Sequence, residues 1–386
     1  MSESPIYLDH NATTPPDSEV IAAMDAAWRN GFGNPGSRHS AGRRARLILE
    51  DARECVAEIL HAKPSEVVFT SGGTESNNTA IFGLTTGRQG VVALPQGEHP
   101  SVEMTVRQLE ATQWTRATLA LDDQGLIQSD SLSSLDWSSL RLMTLLLAHN
   151  ETGVIQPVHV LAEMCRTHDV PLHLDAVQAV GKIDVNFQAL GATCLSLGAH
   201  KLHGPRGIGA LLIREGTRFS PLFYGGHQER EHRAGTESVA LAAGLARALE
   251  IWHRDRQCIH EYTASLRDRL EAQLRESCAP VVVHGAHVER LPNTLNLGFP
   301  GCDGEALLVA LDLVGVCCSM GSACASGASD PAPILLAMGC SRELALASLR
   351  FSVGRGNTVT EIDEAAQRIA SVVRRMRDRR TLSRKP

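Results

Sequence analysis

The stretch Cys194-Leu195-Ser196-Leu197-Gly198-Ala199-His200-Lys201-Leu202-His203-Gly204-Pro205 decides how this chain is read. Its first four residues form a short apolar strand, which runs directly into a lysine framed by two histidines and then a Gly-Pro turn. An apolar run of this length suits a strand covered on both faces. A lysine at the end of such a strand is misplaced as plain solvated charge. Either its stem snorkels to the surface, or its amine is kept to react with a carbonyl group. The ends of the neighbouring strands decide between the two.

Strands and helices alternate along the first two thirds of the chain. Strands are expected at 67–70, 91–94, 142–148, 172–174, 194–197 and 208–213, with helices at 75–83, 101–113 and 158–168. Ala45, Leu49, Ala52, Val56 and Leu60 recur at helical spacing and predict a long amphipathic helix, preceded by another at 19–30. This alternation predicts an α/β domain with a mostly parallel sheet. In such sheets ligands bind beyond the carboxyl ends of the strands. From residue 240 to 275 the chain turns helical and charged, which predicts a long connecting helix into a smaller α+β domain. There strands are expected at 281–283, 294–297 and 349–353, and helices at 305–311 and 361–377. The expected division is an N-terminal segment 1–15, a large domain 16–255 and a small C-terminal domain 256–386.

Composition narrows the function. The 386 residues are 43% hydrophobic and 21% charged, an ordinary globular balance, and the formal net charge is −6. That charge argues against nucleic acid as the main partner. The one basic run, residues 374–385, reads as a solvated helix end that frays, with a docking surface as the alternative. No apolar run reaches membrane-spanning length and Met1-Ser2-Glu3-Ser4-Pro5 has no signal-peptide pattern, so a cytoplasmic protein without membrane contact is expected. The ten cysteines show no C-x-x-C spacing, so neither a metal site nor a disulfide framework is expected.

Candidate site residues stand at one strand end after another. Asp175 closes the strand at 172–174, and a carboxylate there can keep a pyridine nitrogen protonated, making the ring an electron sink. Gln178, one turn on, and Asn150, after the strand at 142–148, are polar groups suited to the ring's phenolic oxygen. Ser71-Gly72-Gly73-Thr74 turns from a strand into a helix, and its free N–H groups with the Thr74 hydroxyl suit a phosphate. His99 follows the next strand and can lie flat on a ring. Each has a plain structural use when taken singly: a helix cap for Asp175, a turn residue for Asn150, a packed imidazole for His99. With Lys201 in the same sheet they form a set suited to pyridoxal 5'-phosphate. No lysine follows the glycine turn as a P-loop requires, and no G-x-G-x-x-G opens the first βα unit.

Nine motifs then carry a family resemblance. Tyr7-Leu8-Asp9-His10-Asn11-Ala12-Thr13-Thr14, Gly33-Asn34-Pro35, Thr70-Ser71-Gly72-Gly73-Thr74-Glu75-Ser76-Asn77-Asn78, Asn150-Glu151-Thr152-Gly153, Asp175-Ala176-Val177-Gln178, Ala199-His200-Lys201-Leu202-His203-Gly204-Pro205, Gly225-Gly226-His227-Gln228-Glu229, Arg233-Ala234-Gly235-Thr236 and Gly321-Ser322-Ala323-Cys324 resemble the NifS/IscS-type cysteine desulfurases. These are class V members of the fold type I, pyridoxal-phosphate-dependent transferases. The matches run in order from residue 6 to about residue 356. The resemblance implies that Lys201 carries the cofactor. Asp175, Gln178 and Asn150 would hold its ring under His99, and Gly73, Thr74 and His200 its phosphate. It further implies a homodimer in which Thr236 reaches the phosphate from the partner subunit. Asn34 and Arg350 would bind the substrate, the planar guanidinium gripping its carboxylate.

Cys324 lies in a run of small residues, Gly321-Ser322-Ala323-Cys324-Ala325-Ser326-Gly327, and such a tether suits a thiol that must travel. The resemblance, which is to the group I branch, implies this chemistry: Lys201 removes the Cα proton of L-cysteine with His99 as proton shuttle, and the Cys324 thiolate takes the sulfur as a persulfide, leaving L-alanine. An iron–sulfur scaffold or a tRNA-thiolation protein is the expected acceptor. A class V aminotransferase, a selenocysteine lyase, and a degenerate sulfur-relay partner are the alternatives. The chain departs from the family pattern at Gly198, where a phosphate-binding serine is usual, at Met320, where serine is usual, and at His149, where asparagine is usual. Cys317 and Cys318 are extra thiols, for which core packing is expected ahead of sulfur relay.

Overall fold

The structure is a computed structural model and describes residues 5–87, 89–321 and 330–383. Seven strands form the central sheet, in the order Val67–Thr70, Gly209–Ile213, Cys194–Gly198, Leu172–Asp175, Leu140–Leu146, Val91–Pro95 and Thr115–Leu119. Gly209–Ile213 alone runs against the common direction. The carboxyl ends of the others therefore open on one edge, as the alternation of strands and helices predicts.

The strands read as unbroken apolar runs because both faces are covered. Val67 and Phe69 point into a core shared with Leu49 and Val56 of the helix Ser40–Ile59, while Val68 between them joins Ile81 and Val106 on the opposite face. Each such side chain, fully buried, contributes roughly 1.5–3 kcal/mol. Polar groups admitted to this sheet must find partners inside it, and that condition shapes the site. The edge strand Thr115–Leu119 escapes sequence reading for the opposite reason. Its residues Thr-Arg-Ala-Thr-Leu are half exposed and lack an apolar signal.

A second, antiparallel sheet sets Thr294–Gly298 between Ser348–Ser352 and Val282–Val283. Leu297, Phe299, Leu307, Phe351 and Ile369 fill its core. Ile6–Tyr7 pairs with Val316–Cys317, a two-residue strand with no sequence signature, so the N-terminal segment is bonded to the C-terminal part of the chain. The helix Val239–Ser277, 39 residues and so ~58 Å long, serves both cores. Leu245 and Trp252 pack in the large one, and Leu266, Leu270 and Leu274 in the small one. The boundary expected at 255/256 falls between these two stretches of one continuous helix.

The basic helix end is not wholly solvated. Arg377 in the helix Val359–Ser383 donates to the carbonyls of Cys278, Pro280 and Pro300, clasping the end of the long helix. Among the described residues no helix is long and apolar enough to cross a membrane.

Candidate active site

Five strand ends bring the expected residues to one pocket. It is lined by Gly73 and Thr74, by His99, by Asn150, by Asp175 and Gln178, and by His200, Lys201 and Arg350. At the first strand end the chain turns through Gly72, at φ +149°, into the helix Gly73–Leu84. That φ is natural only for glycine. No side chain caps the helix, so its first N–H groups face the pocket edge unclaimed. A Cβ on Gly73 would stand 2.6 Å from Val177 Cγ2, so only glycine lets the turn pack against the loop after Asp175.

Asp175 is buried, 2% exposed, at the end of its strand. A bare carboxylate there would be costly. Its Oδ1 accepts from Val177 N at 3.0 Å and its Oδ2 from Asn77 Nδ2 at 2.6 Å. The same Asn77 nitrogen donates to Ser101 Oγ at 2.8 Å. Asn77 stands inside a quoted motif but was assigned no role from sequence; its signal is a helix position facing the sheet. Losing a hydrogen bond to a charged group costs about 1.5–3 kcal/mol. Asn77→Leu is therefore expected to lower the apoprotein's urea midpoint by an amount equivalent to about 2 kcal/mol, with unchanged denaturant slope. An unmoved midpoint would show that this bond does not hold the carboxylate.

Ser101 also fixes His99. Ser101 N donates to His99 Nδ1 at 3.1 Å, capping the helix Pro100–Glu110, and Ser101 Oγ lies 2.7 Å from the same nitrogen. Nδ1 therefore carries the lone pair, and the ring hydrogen sits on Nε2. Burial pushes the imidazole pKa down, and nearby Asp175 only partly opposes this, so His99 is neutral at pH 7. The departure residue His149 has a local role. Its Nδ1 accepts from Glu151 N at 3.1 Å and its Nε2 donates to Gly97 O at 2.9 Å, tying two strand-end loops together.

Lys201 ends the neighbouring strand's 3-10 turn, Ala199–Lys201. Its Nζ donates to Asn11 O at 2.6 Å and Ala12 O at 2.7 Å. Burial, reinforced by the charge of Arg350, pulls its pKa down to about 8. Asn11, 1% exposed, was likewise missed: its Nδ2 donates to Thr294 Oγ1 at 2.9 Å and Asn150 O at 3.1 Å. One residue of the N-terminal segment thus joins both sheets at the lysine.

Arg350 sits in the middle of the strand Ser348–Ser352 and points into the same pocket. It donates to Asp9 Oδ1 at 2.8 Å and Glu151 Oε1 at 2.9 Å. A substrate carboxylate would join a guanidinium already balanced by two acids. His200 lies 3.2 Å from Thr13 Oγ1, its pKa lowered by burial to about 4.

Two expected residues are not brought together with these. Asn34 is exposed and closes its own turn, accepting from Gly36 N at 2.8 Å, and Thr236 is exposed and does not line the pocket of its own chain. Cys324 lies outside the described residues. The nine described cysteines are all free thiols; burial raises the pKa of both Cys317 and Cys318, and Cys318 packs against the small core.

Known proteins match this arrangement along nearly the whole chain. The aminotransferase class-V family matches residues 6–365. The chain is 40% identical to a cysteine desulfurase of Trichormus azollae over 97% of its own length and 94% of that protein's. It superimposes on the structure of a NifS-like protein with a TM-score of 0.90 at 32% identity, covering 96% of this chain and 99% of that one. A structure of SspA in complex with cysteine matches with a TM-score of 0.81 at 29% identity, covering 91% of this chain and 99% of that one. The chain belongs to the aminotransferase class-V family, in its branch of NifS-like cysteine desulfurases.

Proposed function

We propose that this protein is a pyridoxal-phosphate-dependent cysteine desulfurase, converting L-cysteine to L-alanine and collecting the sulfur on Cys324. One observation carries the reading: a lysine with a lowered pKa and a buried, doubly bonded carboxylate line one pocket from adjacent strands.

The donor set fits the cofactor. The uncapped N-terminus of Gly73–Leu84 with Thr74 suits a dianionic phosphate, Asp175 a protonated ring nitrogen, and Lys201 an aldehyde. When bound, the cofactor supplies an electron sink for the pair left at Cα of an amino acid. Every remaining task falls to the chain. Asp175, oriented by the N–H donors of Asn77 and Val177, would offer its carboxylate to the ring nitrogen. Lys201, with its pKa near 8, is a free amine about a tenth of the time at pH 7, far more than an ordinary lysine, and takes the Cα proton. His99 offers a neutral ring with its hydrogen on Nε2, for stacking and proton transfer. Arg350 orients the substrate carboxylate by exchanging one of its acidic partners. The Cys324 thiolate attacks the substrate sulfur: the S–S bond forms as the Cβ–S bond breaks, its electron pair stays with carbon and takes up a proton at Cβ, and Lys201 returns a proton to Cα so that alanine leaves. The persulfide passes to an acceptor protein, plausible candidates being an iron–sulfur scaffold or a tRNA-thiolation protein. The protein acts in the cytoplasm as a homodimer, in which Thr236 serves the partner's phosphate and Asn34 the substrate.

Incubation with cysteine followed by peptide mass analysis tests the thiol. Added sulfur is expected on the peptide bearing Cys324, and a Cys324→Ala protein that still turns over cysteine at the wild-type rate would refute the assignment. Gly198 offers a second check. A Cβ there would meet Gly73 N at 3.5 Å and Val177 Cγ1 at 3.7 Å, ordinary contacts, so serine fits. Gly198→Ser is expected to tighten pyridoxal phosphate binding about tenfold, one charge-assisted hydrogen bond's worth; equilibrium dialysis would show it.

A further inference from the structure

Lys182 is buried, 8% exposed, and no role in the proposed chemistry has yet fallen to it. It lies four residues after Gln178 on a tight turn whose Gly181, at φ +83°, has its α-carbon pressed against Leu202: a Cβ there would stand 2.3 Å from Leu202 Cβ. Its Nζ donates to Gln178 Oε1 at 2.5 Å and to Asn11 Oδ1 at 2.8 Å. Burying an amine is costly unless its N–H groups are hydrogen-bonded. This one touches two amides that both line the pocket beside Lys201.

An amide side chain has an oxygen end and a nitrogen end of nearly the same shape, and only its partners choose between them. Burial beside Lys201 pulls the Lys182 pKa well down, but even a neutral amine has two N–H donors, and both are given to the oxygen ends that face it. Gln178 Nε2 is thereby turned the other way, where one hydrogen meets Asn11 O at 2.9 Å and the second is left for the pocket. The same logic holds Asn11: its Oδ1 takes Lys182 and Asn293 Nδ2, and its Nδ2 is turned to Asn150 O and Thr294 Oγ1. Asn11 in turn presents the carbonyl on which Lys201 rests.

We propose that Lys182 is a positioning residue that orients the Gln178 amide, presenting its nitrogen as a donor to the cofactor's phenolic oxygen. The assignment rests on the pyridoxal phosphate reading of the site. Without Lys182 the Gln178 oxygen is a buried acceptor with no donor. The amide is then held only through the Asn11 carbonyl, and its second N–H is no longer fixed toward the pocket.

The test is a double-mutant cycle on the cofactor rather than on turnover. Purified apoprotein is titrated with pyridoxal 5'-phosphate, and affinity and visible absorbance spectrum are recorded for wild type, Lys182→Met, Gln178→Leu and the pair. Lys182→Met is expected to weaken binding about tenfold and to shift the absorbance maximum. In the Gln178→Leu background the same change is expected to have a much smaller effect, the remainder acting through Asn11. Equal effects in both backgrounds, or a Lys182→Met protein with wild-type affinity and spectrum, would overturn the assignment. If Lys182→Met does not fold, Lys182→Gln keeps a donor in the same place, and is expected to retain the wild-type spectrum with Gln178 present; a shifted spectrum there counts against the proposal. A wild-type protein that binds no pyridoxal phosphate would instead sink the reading of the site itself.

Discussion

Lys201→Ala protein should bind no cofactor covalently and should form alanine from cysteine more slowly by a factor of ~10²–10⁴ or more. The lysine is asked both to hold the cofactor's carbonyl and to move the Cα proton, and no other amine shares its place: Lys182, the nearest, is engaged with Gln178 and Asn11. The surrounding structure should survive, because the amine's two partners are the carbonyls of Asn11 and Ala12, which water can satisfy in the vacated space. Absorbance after dialysis separates covalent from reversible binding, and retained turnover within a few-fold of wild type would end the assignment. The lowered pKa adds a pH signature. Only the neutral amine attacks a carbonyl, and burial with the Arg350 charge depresses the ammonium pKa to about 8. The second-order rate of combination with pyridoxal phosphate is therefore expected to rise ~tenfold per pH unit below 8 and to level off above it. A rise continuing unbroken toward pH 10 would mean an ordinary solvated lysine.

The second large effect is expected at Asp175. Asparagine has the same shape, and both oxygen-directed donors, Asn77 Nδ2 and Val177 N, can reach its remaining oxygen or lose one bond. Asp175→Asn thus removes charge while keeping volume. Removing a preorganised charge from a closed site typically costs on the order of 10²–10³ in rate, and that loss is expected in kcat for alanine formation with a much smaller change in KM for cysteine. Apoprotein stability at pH 7 should fall by no more than about 1.5–3 kcal/mol, one hydrogen bond to a charged group. Steady-state kinetics and urea unfolding measure the two together. A kcat within fivefold of wild type would mean that the carboxylate serves the fold and not the ring.

The site was legible to different depths at different residues. Lys201, Asp175, His99 and the Gly73 turn could be read because each ends an apolar strand, and the strand signal is strong where both faces are buried. Asn77, Ser101, Asn11 and Lys182 could not be ranked that way. They are ordinary polar residues whose importance lies in what they touch, and their partners lie far along the chain: Asn77 meets a residue 98 positions on, Asn11 one 283 positions on. Arg350 was legible as a candidate for the pocket, but its balance by Asp9 and Glu151 was not, because the three come from separate parts of the chain. The edge strand Thr115–Leu119 was hidden by its polar composition, and Val316–Cys317, the partner of the expected strand at Ile6–Tyr7, by its length of two residues.

What the amino-acid order determined by itself is the alternation of strand and helix, the placement of reactive groups at strand ends, and through its motifs the family. Local propensity and two-sided burial act over a few residues, so they can be read from a few residues. What the tertiary structure alone decided is which nitrogen or oxygen each polar group presents. The tautomer of His99 follows from Ser101, the Asp175 carboxylate is oriented by Asn77, and the amide of Gln178 faces Lys182 with its oxygen. Those choices depend on hydrogen-bond partners that only folding brings within 3 Å, where desolvation makes each one costly to leave unmet.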